Sequence, residues 1–151
     1  MKPIDDEKIN QINRYLEERF KEERTDWNSK IIELVESIKH TSKLSEAQVI
    51  QLSYRQMIQD KLAEYRILHE KRQEMFDKQT TDRFREYKLS YDIKLSGTET
   101  QAFVQSDCKA LKLQLKMIHT QIIYFEESIK TLDNIGYAIK KIWYPVEKIK
   151  I

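Results

Sequence analysis

A mainly helical α+β fold is predicted by three features of the chain. Glycine and proline number two each in 151 residues, so little interrupts regular structure. Leu111, Leu115, Ile118, Ile122, Phe125, Ile129, Leu132, Gly136, Ile139 and Trp143 follow one another at alternating steps of four and three. That is the a/d pattern of a long helix holding one apolar edge against a partner helix. Around residues 86–95 the period drops to two: Tyr87, Leu89, Tyr91, Ile93 and Leu95 alternate with Lys88, Ser90, Asp92 and Lys94, as in a half-buried strand.

The elements follow in chain order. Asp5 or Asp6 caps a first helix, with Pro3 upstream and Ile9, Ile12, Leu16 and Phe20 on one face. Glu17, Glu18, Glu22 and Glu23 make it acidic, so residues 1–24 read as a helical extension or surface helix. Thr25 and Asp26 offer a second cap, and a helix from Trp27 to Lys39 buries Ile31, Leu34, Val35 and Ile38. The run His40-Thr41-Ser42-Lys43 breaks the pattern. Ser45 and Gln48 have capping-box spacing, which starts a helix over 45–78 carrying Ile50, Tyr54, Met57, Leu62, Tyr65 and Leu68. This helix and the preceding one form a hairpin. The predicted strand ends at Ser96-Gly97 and needs a strand partner, because a lone strand is unstable. A short helix beginning at Thr98 turns Phe103 and Val104 inward, and Ser106 or Asp107 caps the long C-terminal helix, which Pro145 stops. Three regions result: the acidic extension 1–24, a helical and β region 25–105, and an assembly helix with its tail, 106–151.

Composition excludes several classes. A single cysteine, Cys108, permits no internal disulfide and suits a reducing compartment. No apolar run follows the first residues, and none reaches the roughly 20 residues of a membrane span. The expectation is a cytoplasmic protein. His40, His69 and His119 fall on separate predicted elements, without metal-ligand spacing, and two glycines cannot build a phosphate loop. Cys108 lies at a predicted helix N-terminus, which lowers a thiol pKa. No catalytic residues, metal ligands or cofactor are assigned, and the chain reads as a non-enzyme.

Charge is more informative by position than by sum. Lys and Arg total 27 against 25 Asp and Glu. Residues 1–53 hold nine basic and eleven acidic residues, whereas residues 109–151 hold eight and four. On the third helix Lys61, Arg66, Lys71 and Arg72, with Arg55 upstream, interleave with Tyr54, Tyr65 and Phe76. Basic side chains that track phosphates, among aromatics that stack bases, suit single-stranded nucleic acid. Lys140 and Lys141 extend the candidate set. Charged helix faces are more often simply solvated, and the heptad seam supports a coiled-coil scaffold that binds only protein equally well. In either reading Leu115, Ile118, Ile122, Phe125, Ile129, Leu132, Gly136 and Ile139 are the candidate subunit interface.

The run Tyr124-Phe125-Glu126-Glu127-Ser128-Ile129-Lys130-Thr131-Leu132, followed by Gly136-Tyr137-Ala138-Ile139-Lys140-Lys141-Ile142, resembles the C-terminal signature of the UvsY family, the recombination mediators of T4-like phages. The segment Thr98–Asp107 is similar to the family's short stretch before that helix, and the resemblance covers about residues 30 to 143. It implies a ring-like homo-oligomer of roughly six to eight subunits that binds single-stranded DNA. It also implies a role in loading a RecA-like recombinase onto DNA coated by single-stranded-DNA-binding protein, in the cytoplasm of an infected host cell. Arg66, in Tyr65-Arg66-Ile67-Leu68, fits the family's DNA-contacting stretch, with Lys61 nearby. Glu64, Glu70 and the lack of a glycine after Leu68 depart from it.

Overall fold

The structure is a computed structural model that describes the backbone of residues 5–90 and 95–149 and the side chains of 5–89 and 95–143. Among the described residues there are four α-helices: α1 (Asp6–Ser37), α2 (Leu44–Ser90), α3 (Gly97–Asp107) and α4 (Lys109–Ile149), with a 3-10 turn at Thr41–Lys43 before α2. There is no strand among the described residues. The mainly helical expectation stands, and the β element does not. Tyr87 and Leu89 lie in the last turns of α2, while the predicted strand residues 91–94 fall outside the described residues. Tyr87 is buried against Val104 and Cys108, whereas Leu89 is exposed. A period of two and a helical period coincide over so few residues, and the tertiary contact of Tyr87 decides for the helix.

Two predicted boundaries are also absent. Thr25 and Asp26 lie inside a continuous α1, where the Thr25 hydroxyl donates to the Lys21 carbonyl one turn back instead of capping a new helix. Pro145 does not stop α4, which runs on to Ile149. A proline inside a helix removes one backbone donor near its end, a cost the remaining turns absorb here. A further boundary is real. Ser96 caps α3: its hydroxyl accepts from the Glu99 amide at 3.1 Å and donates to the Glu99 carboxylate at 3.0 Å. The helix therefore begins one residue earlier than Thr98.

The chain divides into two compact units, each built from one segment of α1, one of α2 and one of α4. The first comprises residues 1–19 and 66–120 and includes α3; the second comprises residues 20–65 and 121–151.

In the first unit Asn13 is buried on α1. Its side-chain amide donates to the Ala110 carbonyl at 2.8 Å, and the Gln114 amide donates to the Asn13 oxygen at 3.0 Å. The acidic N-terminal stretch is thus docked through a satisfied polar pair. α3 is held to α2 by Asp107, whose carboxylate accepts from Arg83 Nε at 2.7 Å and from the Tyr87 hydroxyl at 2.6 Å. Asp107 is spent on this contact and does not cap α4. Burial alone would lower the Arg83 pKa, but the hydrogen bond to Asp107 and its charge, with Glu86, raise it on balance. Val104 points inward as expected; Phe103 is half exposed and stacks on Tyr87 at 5.6 Å.

In the second unit α1 and α2 form the expected hairpin through an edge-to-face pair, Trp27 and Tyr54, at 5.4 Å. α4 packs on both. Phe125 is fully buried, stacks on Tyr65 at 5.7 Å, and Tyr65 meets Phe20 edge-on at 5.3 Å. A polar network threads this layer. Glu23 accepts from the Tyr65 hydroxyl at 2.6 Å and from the buried Gln121 amide at 2.9 Å, while Arg24 donates to the Gln121 oxygen at 2.6 Å. Tyr124 donates to the Asn28 side chain at 2.6 Å, and burial raises its pKa.

These contacts change the meaning of the α4 seam. Leu115, Ile118, Ile122, Phe125, Leu132 and Ile139 are buried within the chain itself, Ile129 partly so. A third heptad position is buried beside them: Gln114, Gln121, Ser128 and Ile135. Three buried positions per heptad make a wide stripe, as of a helix packed on two neighbours. Three of those four residues, Gln114, Gln121 and Ser128, are polar, so the stripe looks narrow in the sequence.

Candidate nucleic-acid interface

The predicted basic and aromatic residues divide between the two units. Arg66, Lys71 and Arg72 belong to the first, and Arg55, Lys61, Tyr65, Lys140 and Lys141 to the second. In the first unit Arg66 and Lys71 are exposed. Arg72 is half-buried, with Nη1 against the Met75 sulfur at 3.1 Å and Nε buried without a hydrogen-bond partner.

In the second unit two of the predicted contacts are already engaged. Tyr65 is half-buried between Phe20 and Phe125 and hydrogen-bonded to Glu23, so it offers no face to a base. Arg55 donates to Asp133 at 2.7 Å. Tyr54 is likewise committed to Trp27. Lys61 lies on the surface, 3.5 Å from Glu64.

What the structure does bring together is the start of α2 and the end of α4. Tyr137, Ile139, Lys140, Lys141 and Trp143 line a groove of about 510 Å³ with Gln48. A neighbouring groove of about 410 Å³ is lined by Gln48, Gln51, Leu52, Arg55, Asp133, Gly136, Tyr137 and Lys140. Helical spacing explains the arrangement. Residues 137, 140 and 141 lie three and four apart on the outer face of α4, opposite the buried Ile135 and Ile139. Tyr137 is 66% exposed, and the Lys140 ammonium stands 6.0 Å from its ring centroid. Both lysines are exposed. The groove thus offers an accessible aromatic face, a second partly exposed aromatic and two exposed lysines that have no ion-pair partner among the described residues. Its lining offers ring faces for stacking and positive charge for an anion.

Gly136 stands at the floor of the second groove. A Cβ there would meet the Gln51 amide nitrogen at 3.0 Å. Gln51 is buried and donates to the Leu132 carbonyl at 3.0 Å. Glycine at 136 therefore admits a close neighbour from α2.

Cys108 forms no reactive centre. It is 1% exposed, and burial, followed by the charge of Asp107, pushes its thiol pKa up. The expected lowering at a helix N-terminus is reversed because the side chain points into the core beside Tyr87 and Val104. No group of three or more metal-capable side chains occurs among the described residues. No helix among them is long and apolar enough to cross a membrane.

The sequence does not by itself single out Tyr137 and Trp143, which the structure places in one groove. In the sequence Trp143 belongs to the apolar seam and Tyr137 to the motif that resembles the UvsY signature. The available signal was the spacing of Tyr137, Lys140 and Lys141 on one face. Comparison with protein-family models, with curated proteins and with solved structures finds no match to this chain.

Proposed function

We propose that the chain is a non-catalytic binding protein that holds single-stranded DNA in the groove at the end of α4. One observation carries the reading: the exposed ring of Tyr137 stands beside Lys140, Lys141 and Trp143 in one groove. Stacking on aromatic faces tolerates any base, and lysines follow the phosphates, so binding is sequence-independent and salt-sensitive. In this reading the strand is held extended and accessible. That fits the recombination-mediator role implied by the resemblance, in which a RecA-like recombinase is loaded onto DNA coated by single-stranded-DNA-binding protein. A ring of subunits would multiply the modest charge of one groove through effective concentration. Such a ring would use surfaces other than the α4 seam, because the chain's own helices cover that seam.

The test is titration of the full chain with an oligo-dT, followed by anisotropy across a salt series. Binding is expected to weaken steeply with salt. Lys140→Glu with Lys141→Glu is expected to abolish it, and Tyr137→Ala to weaken it without changing the salt slope. Retention of full affinity by the double charge reversal would overturn the proposal. Exposed Val49 and Leu52 near the start of α2 favour a second reading, a scaffold that binds only protein. A chain that ignores the oligonucleotide at low salt would support that reading.

A further inference from the structure

The first compact unit holds a feature with no part in DNA binding. His69 on α2 and His119 on α4 place their rings 5.9 Å apart, centroid to centroid, at a 49° tilt. His119 is exposed and His69 half-buried, so water and ions reach the pair. Among the described residues neither imidazole takes part in a side-chain hydrogen bond or an ion pair, in contrast to the satisfied Asn13, Gln114 and Asp107 of the same unit. Two neighbouring imidazoles whose nitrogens are unclaimed form a ready bidentate donor set.

The separation fits a shared ion. A ligating nitrogen binds zinc at about 2.0–2.1 Å and sits about 1.1 Å from its ring centroid, so two rings on one ion span at most about 6.4 Å. At a tetrahedral angle the centroids would stand about 5.2 Å apart, so each ring needs to move by only a few tenths of an ångström. Rotation about the outer side-chain bond of histidine is soft enough to allow it. Imidazole nitrogen selects borderline ions such as Zn²⁺, Ni²⁺ or Cu²⁺ over Mg²⁺ or Ca²⁺.

We infer that His69 and His119 form a two-histidine clamp for a divalent transition-metal ion, fastening α2 to α4. No third metal-capable side chain joins them among the described residues, so water completes the coordination. Arg66, Arg72 and Lys116 lie three residues from the two histidines on their helices, and their positive charge keeps the affinity modest. An ion that binds only the folded chain raises its stability by mass action.

The experiment titrates the full-length chain with Zn²⁺ alone and reads both thermal unfolding and the heat of binding. The expected result is a rise in Tm with metal and one ion per chain. His119→Ala, which alters an exposed ring, is expected to keep the metal-free Tm, remove the metal-dependent rise and weaken binding at least about tenfold. His40→Ala is expected to behave as the parent chain. An unchanged response in His119→Ala, or a response abolished by His40→Ala, would overturn the inference. Neither outcome bears on the groove at the end of α4.

Discussion

Gln51 occupies the space that a side chain at position 136 would need. Its amide nitrogen lies 3.0 Å from where a Cβ on Gly136 would stand, and it is held there by donating to the Leu132 carbonyl at 3.0 Å. A mid-helix glycine costs about 1 kcal/mol of helix propensity, and here the cost admits a buried hydrogen bond between two helices. Gly136→Ala is therefore expected to destabilise by about 1 kcal/mol, because displacing the buried amide outweighs the propensity gain. In a Gln51→Ala background the same change should stabilise by about 1 kcal/mol. Urea melts of the four variants read the sign change directly. Equal effects in both backgrounds would refute the steric account.

The α4 seam gives a second prediction. Phe125 is fully buried between Tyr65 and its neighbours, so Phe125→Ala should cost about 3–5 kcal/mol. Leu113→Ala, on the exposed face of the same helix, should change stability by less than about 0.5 kcal/mol. Chemical denaturation checks both. If the seam instead served mainly between subunits, Phe125→Ala would lower the mass seen by light scattering while leaving the chain folded.

The pair Arg55 and Asp133 yields a prediction on affinity. Their 2.7 Å contact is about two-fifths exposed on each side, so it contributes little to stability, on the order of 0–1 kcal/mol. Asp133→Asn removes a negative charge from the groove wall and frees Arg55. Oligo-dT should then bind more tightly, with the salt slope steepened by roughly one phosphate contact. A loss of affinity would show that the groove is not the binding surface.

Cys108 predicts a pH effect. Burial raises its thiol pKa above the ordinary value, so the folded state prefers the protonated form. That preference contributes fully below the unfolded pKa and is lost as pH rises through the folded one. Stability should be unaffected by this group near neutrality and should fall in the alkaline range; Cys108→Ala should flatten that fall. Alkylation should be slow in the native chain and fast in urea.

Periodicity alone was enough for the helices and for much of the core. The α1–α2 hairpin, the inward Val104, and the buried Leu62, Ile118 and Leu132 all follow from apolar spacing. Two of the misreadings share one cause. Asn13, Gln51, Gln114 and Gln121 are polar yet buried, each paired with a specific partner on another helix. A hydrophobicity pattern cannot register them, and they hid both the docking of the N-terminal stretch and the true width of the α4 stripe. Tyr65 failed as a stacking residue for the complementary reason. Its exposure depended on Phe20 and Phe125, which lie far from it in the chain.

Scarce helix breakers and repeated steps of three and four thus determined, by themselves, that the chain would be long helices with an apolar α4 edge. Such local preferences act through the backbone of a few consecutive residues. Only tertiary structure decided what that edge meets, and it meets the chain's own α1 and α2. It also decided which charges are spent, as at Arg55 and Arg83, and which have no ion-pair partner among the described residues, as at Lys140 and Lys141. Pairing energies depend on distance and burial, which are set between helices and not along them.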